Sequence, residues 1–280
     1  MSTEVTSDSK NKNIKTIYLI RHAESEENRR IGSLKSAFLG LGRFKLPSKE
    51  DVVASMELLN VSAQIDSDVS DVGEAQINQL GKRIAKDDFI RKMGIELVAH
   101  SPLKRARQTS HGMLQTVTAS NTTSSVEVDS SSLGSKHPSI QRVVELDILT
   151  ERTPKEWLPT HYSTYAKRIK SFEIWLSQQK EEVIAVVGHS QYFRSMLGLK
   201  TKFHNVDVWS LQLDCSGVGI ETKDEEKEEI DTIKDDNDDV GGDGCAIVTE
   251  IDGKSLDELV LPRGWRQLKH HYRYDPNYSE

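Results

Sequence analysis

At 280 residues, the chain is long enough for one large single-core domain, or for a domain of about 200 residues with appendages. Its formal charge of -7 is local: residues 221–240 carry eleven acids and three lysines, and the rest of the chain sums to +1. So balanced a body carries neither a nucleic-acid footprint nor a polybasic membrane patch. Only two cysteines, Cys215 and Cys245, and no apolar run after Met1 point to a reducing, cytoplasmic setting without a disulfide framework. No stretch approaches the roughly 20 apolar residues that would span a bilayer.

In chain order, residues 1–13 are polar and poor in large apolar side chains, and read as a disordered lead. Ile14 to Ile20 is a first strand, closed by Arg21 and His22. The following residues, about 32–68, fit neither helical nor strand periodicity and read as an insertion. A helix is expected after Ser70 or Asp71, either of which can cap it, with Ala75, Ile77, Leu80, Ile84 and Ala85 on one stripe.

Ile95 to Ala99 is a short strand, followed by a helix with Pro102 in its first turn. Thr118 to Ser135 is a Ser/Thr-rich connection leading to an apolar segment, "IQRVVELDIL". An amphipathic helix carries Tyr165, Ile169, Phe172 and Leu176, and "VIAVVGHSQ" is a central strand with a helix from Ser190 behind it. "VDVWSLQLD" alternates like an edge or penultimate strand. Residues 221–244 form an acidic flexible loop. Residues 245–280 form an extension packed on or near a domain of residues 14–220, with one more strand or hairpin arm near 245–256 and a solvated His270–His271 pair. The alternation of near-continuous apolar strands with helices gives an α/β fold: a three-layer αβα sandwich with a mostly parallel central sheet.

Two of these strands end in histidine, "IYLIRH" at His22 and "IAVVGH" at His189. In an open parallel sheet, ligands bind at the carboxyl ends of the strands, so both imidazoles would reach one crevice. A third strand end, "SPLKRARQT", adds Arg105 and Arg107 at a helix start, where the first amides also favour an anion. Two imidazoles with two guanidiniums suit a phosphate dianion. An unprotonated imidazole nitrogen can attack phosphorus, cations can stabilise the transferring oxygens, and a carboxylic acid can protonate the leaving alcohol. A G-x-S-x-G elbow is absent around Ser190. A catalytic metal is not expected, because no paired ligand motif occurs and the arginines would repel a cation.

"LIRHAESEEN", "SPLKRARQT" and "VVGHS" resemble the three signatures of the histidine phosphatase superfamily, in its phosphoglycerate mutase-like branch. The resemblance covers about Lys15 to Leu213. It implies His22 as the phosphorylated nucleophile, Arg21, Arg105 and His189 as phosphoryl ligands and Asn28 as a further donor. It also implies an acid from "LTERTPKEW", Glu151, with Glu145 as the alternative because the glycine usual after the acid is missing. Ala23 stands where the family most often has glycine, which the fold tolerates if the backbone there avoids positive φ. The expected activity is a metal-independent phosphomonoesterase without cofactor, acting on a small phosphorylated metabolite or a phosphopeptide. Phosphoglycerate mutase-type transfer and a non-catalytic phosphate-binding role are the alternatives.

Overall fold

The computed structural model describes residues 13–26, 66–117, 134–135, 138–153, 156, 161–218, 249–251 and 253–278. The strands and helices in chain order are β1 (Ile14–Arg21), α1 (Asp71–Lys86), α2 (Phe89–Met93), β2 (Leu97–His100), α3 (Lys104–Leu114), β3 (Thr116–Val117), β4 (Gly134–Ser135), β5 (Arg142–Glu145), α4 (Tyr162–Gln178), β6 (Val183–Gly188), α5 (Ser190–Leu197), β7 (Val208–Asp214), β8 (Glu250–Ile251), β9 (Lys254–Ser255) and β10 (Trp265–Tyr272).

Six strands form the main sheet in the order β10-β7-β1-β6-β2-β5. β1, β6, β2 and β5 pair in parallel, while β7 runs antiparallel between β1 and β10. Side chains alternate across a strand, so β1 sends Ile17 and Leu19 to one face and Tyr18 and Ile20 to the other. The first face is covered by α4 and α5 through Tyr165, Ile169, Phe172, Phe193 and Met196. α1, α2 and α3 cover the second through Ile77, Leu80, Phe89, Ala106 and Met113. This is the expected three-layer α/β sandwich with a mostly parallel sheet. Burial on both faces accounts for the near-continuous apolar runs of β2 and β6. Among the described residues no helix is long and apolar enough to cross a membrane.

α1 starts where capping chemistry places it, with Ser70 Oγ accepting from the Gly73 amide at 3.1 Å. Immediately before it, Ser25 bridges Val69 and the Ser70 amide donates to the Glu24 carbonyl at 2.9 Å. The two ends of the long excursion are therefore clamped together, although residues 27–65, with most of the expected insertion and Asn28, lie outside the described residues. The lead expected to be disordered, apart from Asn13, most of the Ser/Thr-rich connection and the acidic run lie outside them too.

Two expectations are corrected. Pro102 precedes α3 rather than entering its first turn, since Leu103 is still extended and the helix begins at Lys104. The expected solvated histidine pair lies in β10, an edge strand through which the carboxyl-terminal extension joins the main sheet, with Trp265, Leu268, His270 and Tyr272 buried. His270 is thus a core residue and His271 is half-buried, not a solvated pair. The sheet register shifts between Arg266 and Lys269, with Gln267 at φ 58°. A bulge of this kind breaks the alternation that would have marked the strand.

Candidate active site

β1 and β6 lie side by side with Arg21 opposite Gly188, and the His22 amide donates to the Gly188 carbonyl at 2.9 Å. The residues that follow the two strands, His22 and His189, therefore emerge next to each other, with ring centroids 5.0 Å apart. β2, on the far side of β6, ends at the same edge and delivers Ser101, whose hydroxyl lies 2.9 Å from His189 Nε2. His22, Ser101, Arg105 and His189 are all buried.

His22 Nδ1 lies 2.6 Å from the Ala23 carbonyl oxygen. A carbonyl can only accept, so Nδ1 carries the proton and Nε2 holds the lone pair. Burial drives the His22 pKa well below the ordinary histidine range, and His189, Arg105 and Arg21 push it the same way against the Ala23 hydrogen bond. Its imidazole is neutral at neutral pH.

His189 Nδ1 faces Glu151 Oε2 at 3.3 Å. Burial pushes the Glu151 carboxyl up, but His189, Arg105 and the Arg152 amide outweigh it and leave the pKa below the usual value. Burial also holds His189 below its ordinary value, against the pull of Glu151. The resting pair is a carboxylate facing the N–H of a neutral imidazole, whose Nε2 accepts from Ser101.

The surroundings explain how a variant sequence builds this geometry. The Ala23 amide donates to Thr109 Oγ1 at 2.9 Å, and Thr109 donates to the Arg105 carbonyl at 2.7 Å. One hydroxyl on α3 thereby ties the strand-end turn to the helix that carries Arg105. Ala23 is absent from the positive-φ residues, so its methyl group is accommodated. Arg168 on α4 donates to the carbonyls of Ile148, Thr150 and Glu151 and to the Glu156 carboxylate at 2.9 Å. That bracket fixes the backbone beneath Glu151 where the family's glycine is missing. Glu145 is directed elsewhere, 3.9 Å from Arg107 and half-exposed. Ser190 Oγ accepts from the Phe203 amide at 3.1 Å and is occupied structurally.

Sequence reasoning passed over Ser101 and Thr109, although both stand inside the quoted "SPLKRARQT". It also missed Asn205, whose side chain donates to the His22 carbonyl at 2.9 Å; no motif marks it. Asn28 lies outside the described residues. His22, Glu151 and His189 offer three ligand atoms within 4.8 Å of one another, a set that could chelate a metal ion. Arg21 and Arg105 face the same space closely enough to perturb both imidazoles, and their charge favours an anion over a dication.

The model of the histidine phosphatase superfamily (branch 1) matches residues 56–236, well over half of the chain, and the chain belongs to that superfamily. The matched stretch contains Arg105, Glu151 and His189, and the sheet brings His22 to them from outside it. Similar solved structures include a phosphoglycerate mutase from Bacillus anthracis, 15% identical over 72% of this chain and 89% of that one, with a TM-score of 0.40. Another is a phosphoserine phosphatase from Entamoeba histolytica in complex with 3-phosphoglyceric acid, 16% identical over 70% and 89%, TM-score 0.39. A third is the mycobacterial glucosyl-3-phosphoglycerate phosphatase, 12% identical over 70% and 89%, TM-score 0.39. No curated protein sequence matches the chain.

Proposed function

We propose that the chain is a phosphomonoesterase that works through a phosphohistidine at His22, without a metal. The observation that carries this reading is the His22 tautomer: with Nδ1 committed to the Ala23 carbonyl at 2.6 Å, Nε2 is left as a neutral nucleophile in a buried, cationic site. Nε2 attacks phosphorus while the ester P–O bond breaks, and Arg21, Arg105 and the Nδ1–H of His189, which turns from Glu151 once that carboxyl is protonated, stabilise the transferring oxygens. Glu151, once protonated, gives its proton to the leaving alkoxide. Its carboxylate then takes a proton from the water that attacks the phosphohistidine, releasing phosphate and restoring the neutral imidazole.

The substrate in this reading is a small phosphate ester or a phosphopeptide. Transfer of the phosphoryl group back to a second hydroxyl would use the same residues. The deciding experiment incubates the full chain with p-nitrophenyl phosphate, and separately with 3-phosphoglycerate and a bisphosphoglycerate primer, both in the presence of a chelator. Free phosphate is expected, together with acid-labile label on wild type and none on His22→Ala. Isomerised product with little free phosphate would establish a mutase instead, and a fully active His22→Ala would remove the nucleophile assignment.

A further inference from the structure

The loop of residues 203–207, between α5 and β7, holds both residues at the end of β1. Arg21 Nη1 donates to the Phe203 carbonyl at 2.6 Å and the Arg21 amide to the Asp207 carbonyl at 3.3 Å. The Val206 amide donates to the Arg21 carbonyl at 3.1 Å, and Asn205 Nδ2 to the His22 carbonyl at 2.9 Å. Within this loop Val206 has φ 55°, an unfavourable conformation for a β-branched residue. Such a conformation persists only where its surroundings over-determine it.

The restraint comes from Asp207, whose side chain is fully buried. Asp207 Oδ2 accepts from the His204 amide at 2.9 Å, closing the loop on itself. Arg273, just past β10, clamps the same carboxylate with two bonds, Nε to Oδ1 at 2.9 Å and Nη2 to Oδ2 at 2.7 Å. His270 Nε2 lies 3.6 Å from Oδ1. Burial pushes the Asp207 carboxyl up, yet Arg273 and His270 bring it below the usual carboxylate range, so the clamp stays ionic. Arg273 belongs to a segment beyond the residues that the family model matches.

We propose that Asp207 and Arg273 are positioning residues: their bidentate ion pair fixes the loop that orients the Arg21 guanidinium and the His22 imidazole. The carboxyl-terminal strand is on this account a working part of the site. The inference rests on the reading of His22 as nucleophile. Bidentate geometry makes lysine a poor substitute, since a point charge cannot form both bonds of the fork.

The strap carrying Arg273 is anchored independently of its guanidinium. Tyr272 Oη donates to Asp87 Oδ2 at 2.8 Å, Arg83 donates to the Arg273 carbonyl at 2.9 Å, and Gln79 pairs with the Asp275 backbone at 2.6 and 3.0 Å. Arg273→Met and Arg273→Lys are therefore suitable variants. Turnover of p-nitrophenyl phosphate is measured per site, with the number of competent sites counted from the phosphohistidine formed. Arg273→Met should lose about tenfold to a hundredfold in kcat per competent site, Arg273→Lys should recover only part of it, and guanidinium ion added to Arg273→Met should restore rate better than methylammonium. A wild-type rate per competent site in Arg273→Met would overturn the proposal, even if fewer molecules were folded. Absence of turnover and of phosphohistidine in the wild type would instead sink the phosphatase reading. The clamp would then be judged by calorimetric titration with inorganic phosphate, whose affinity should fall about tenfold in Arg273→Met and whose constancy would refute it.

Discussion

Replacing Glu151 by Gln isolates the proton from the rest of the side chain. The amide has nearly the same volume and still presents an oxygen toward His189 Nδ1, which lies 3.3 Å from Glu151 Oε2, and the Arg168 bracket binds backbone carbonyls that the change leaves alone. If Glu151 is the acid proposed above, what disappears is general acid-base catalysis, worth about 10²- to 10⁴-fold, or about 3 to 5 kcal/mol of barrier. An alkyl phosphate needs the whole of that assistance because an alkoxide is a poor leaving group. A nitrophenolate leaves without a proton, so the first step on p-nitrophenyl phosphate should be nearly unaffected. The assay is pre-steady-state: the burst of phosphohistidine on an alkyl and on an aryl ester, in wild type and in Glu151→Gln. Equal loss on both esters would refute the acid assignment. Glu145→Gln is the internal control, since Glu145 faces Arg107 at 3.9 Å with its side chain 39% exposed, and exposed pairs of this kind contribute little. It should leave both bursts unchanged.

Two further outcomes follow from the packing. Thr109→Val should orphan the buried Ala23 amide, which donates to Thr109 Oγ1 at 2.9 Å, and destabilise the protein by about 1 to 3 kcal/mol in urea unfolding; Thr109→Ser keeps the hydroxyl and should stay close to wild type. Stability should also fall in mild acid. His22, His100 and His189 are lowered chiefly by burial, and His271 is lowered by burial to about 4. Each has a folded pKa below its unfolded value near 6.5, so the unfolded chain takes up more protons as pH drops. The stabilisation is complete above about pH 6.5 and is lost on descending toward the folded values. Thermal midpoints should be lower at pH 5 than at pH 7.5, with a smaller difference in His271→Gln, and midpoints independent of pH over that range would contradict the burial of these rings.

β1 and β6 were legible because strands buried on both faces must be apolar throughout, and their parallel pairing made two distant strand-end histidines neighbours. Arg105 was legible for a related reason: it opens the helix behind another such strand. The choice between Glu151 and Glu145 was harder. β5 ends at Glu145, and only the turn through Asp147–Leu149, held by Arg168 from α4, carries the chain on to Glu151. That bracket is tertiary, seventeen residues away from the acid it supports, and no local spacing announces it. β10 was hidden twice, by the bulge at Gln267 and by Arg266 and Lys269 exposed along the edge strand. Charges there discourage edge-to-edge pairing, but in a sequence they look like a solvated tail.

On the proposed mechanism the leaving alkoxide must receive a proton that the resting site has to obtain from elsewhere. Nε2 of His22 is unprotonated, and Glu151 is ionised because His189 and Arg105 outweigh its burial. Neither group holds the proton that the leaving alkoxide requires. A phosphate monoester has a second ionisation near pH 6, so its monoanion can bring that proton into the site. Once inside, the phosphoryl group gains from being a dianion between Arg21 and Arg105, while its charge cancels theirs and raises the proton affinity of Glu151. On the proposed mechanism the proton therefore moves from phosphate to carboxylate on binding and from carboxylate to alkoxide in the reaction. On an alkyl ester, kcat/KM should fall about tenfold per pH unit above the second ionisation of the substrate, and esters of different phosphate pKa should shift that limb accordingly. In Glu151→Gln the limb should vanish, because the carboxylate that accepts the proton is gone. A limb that stayed at one pH for every ester would place the essential ionisation on the protein instead.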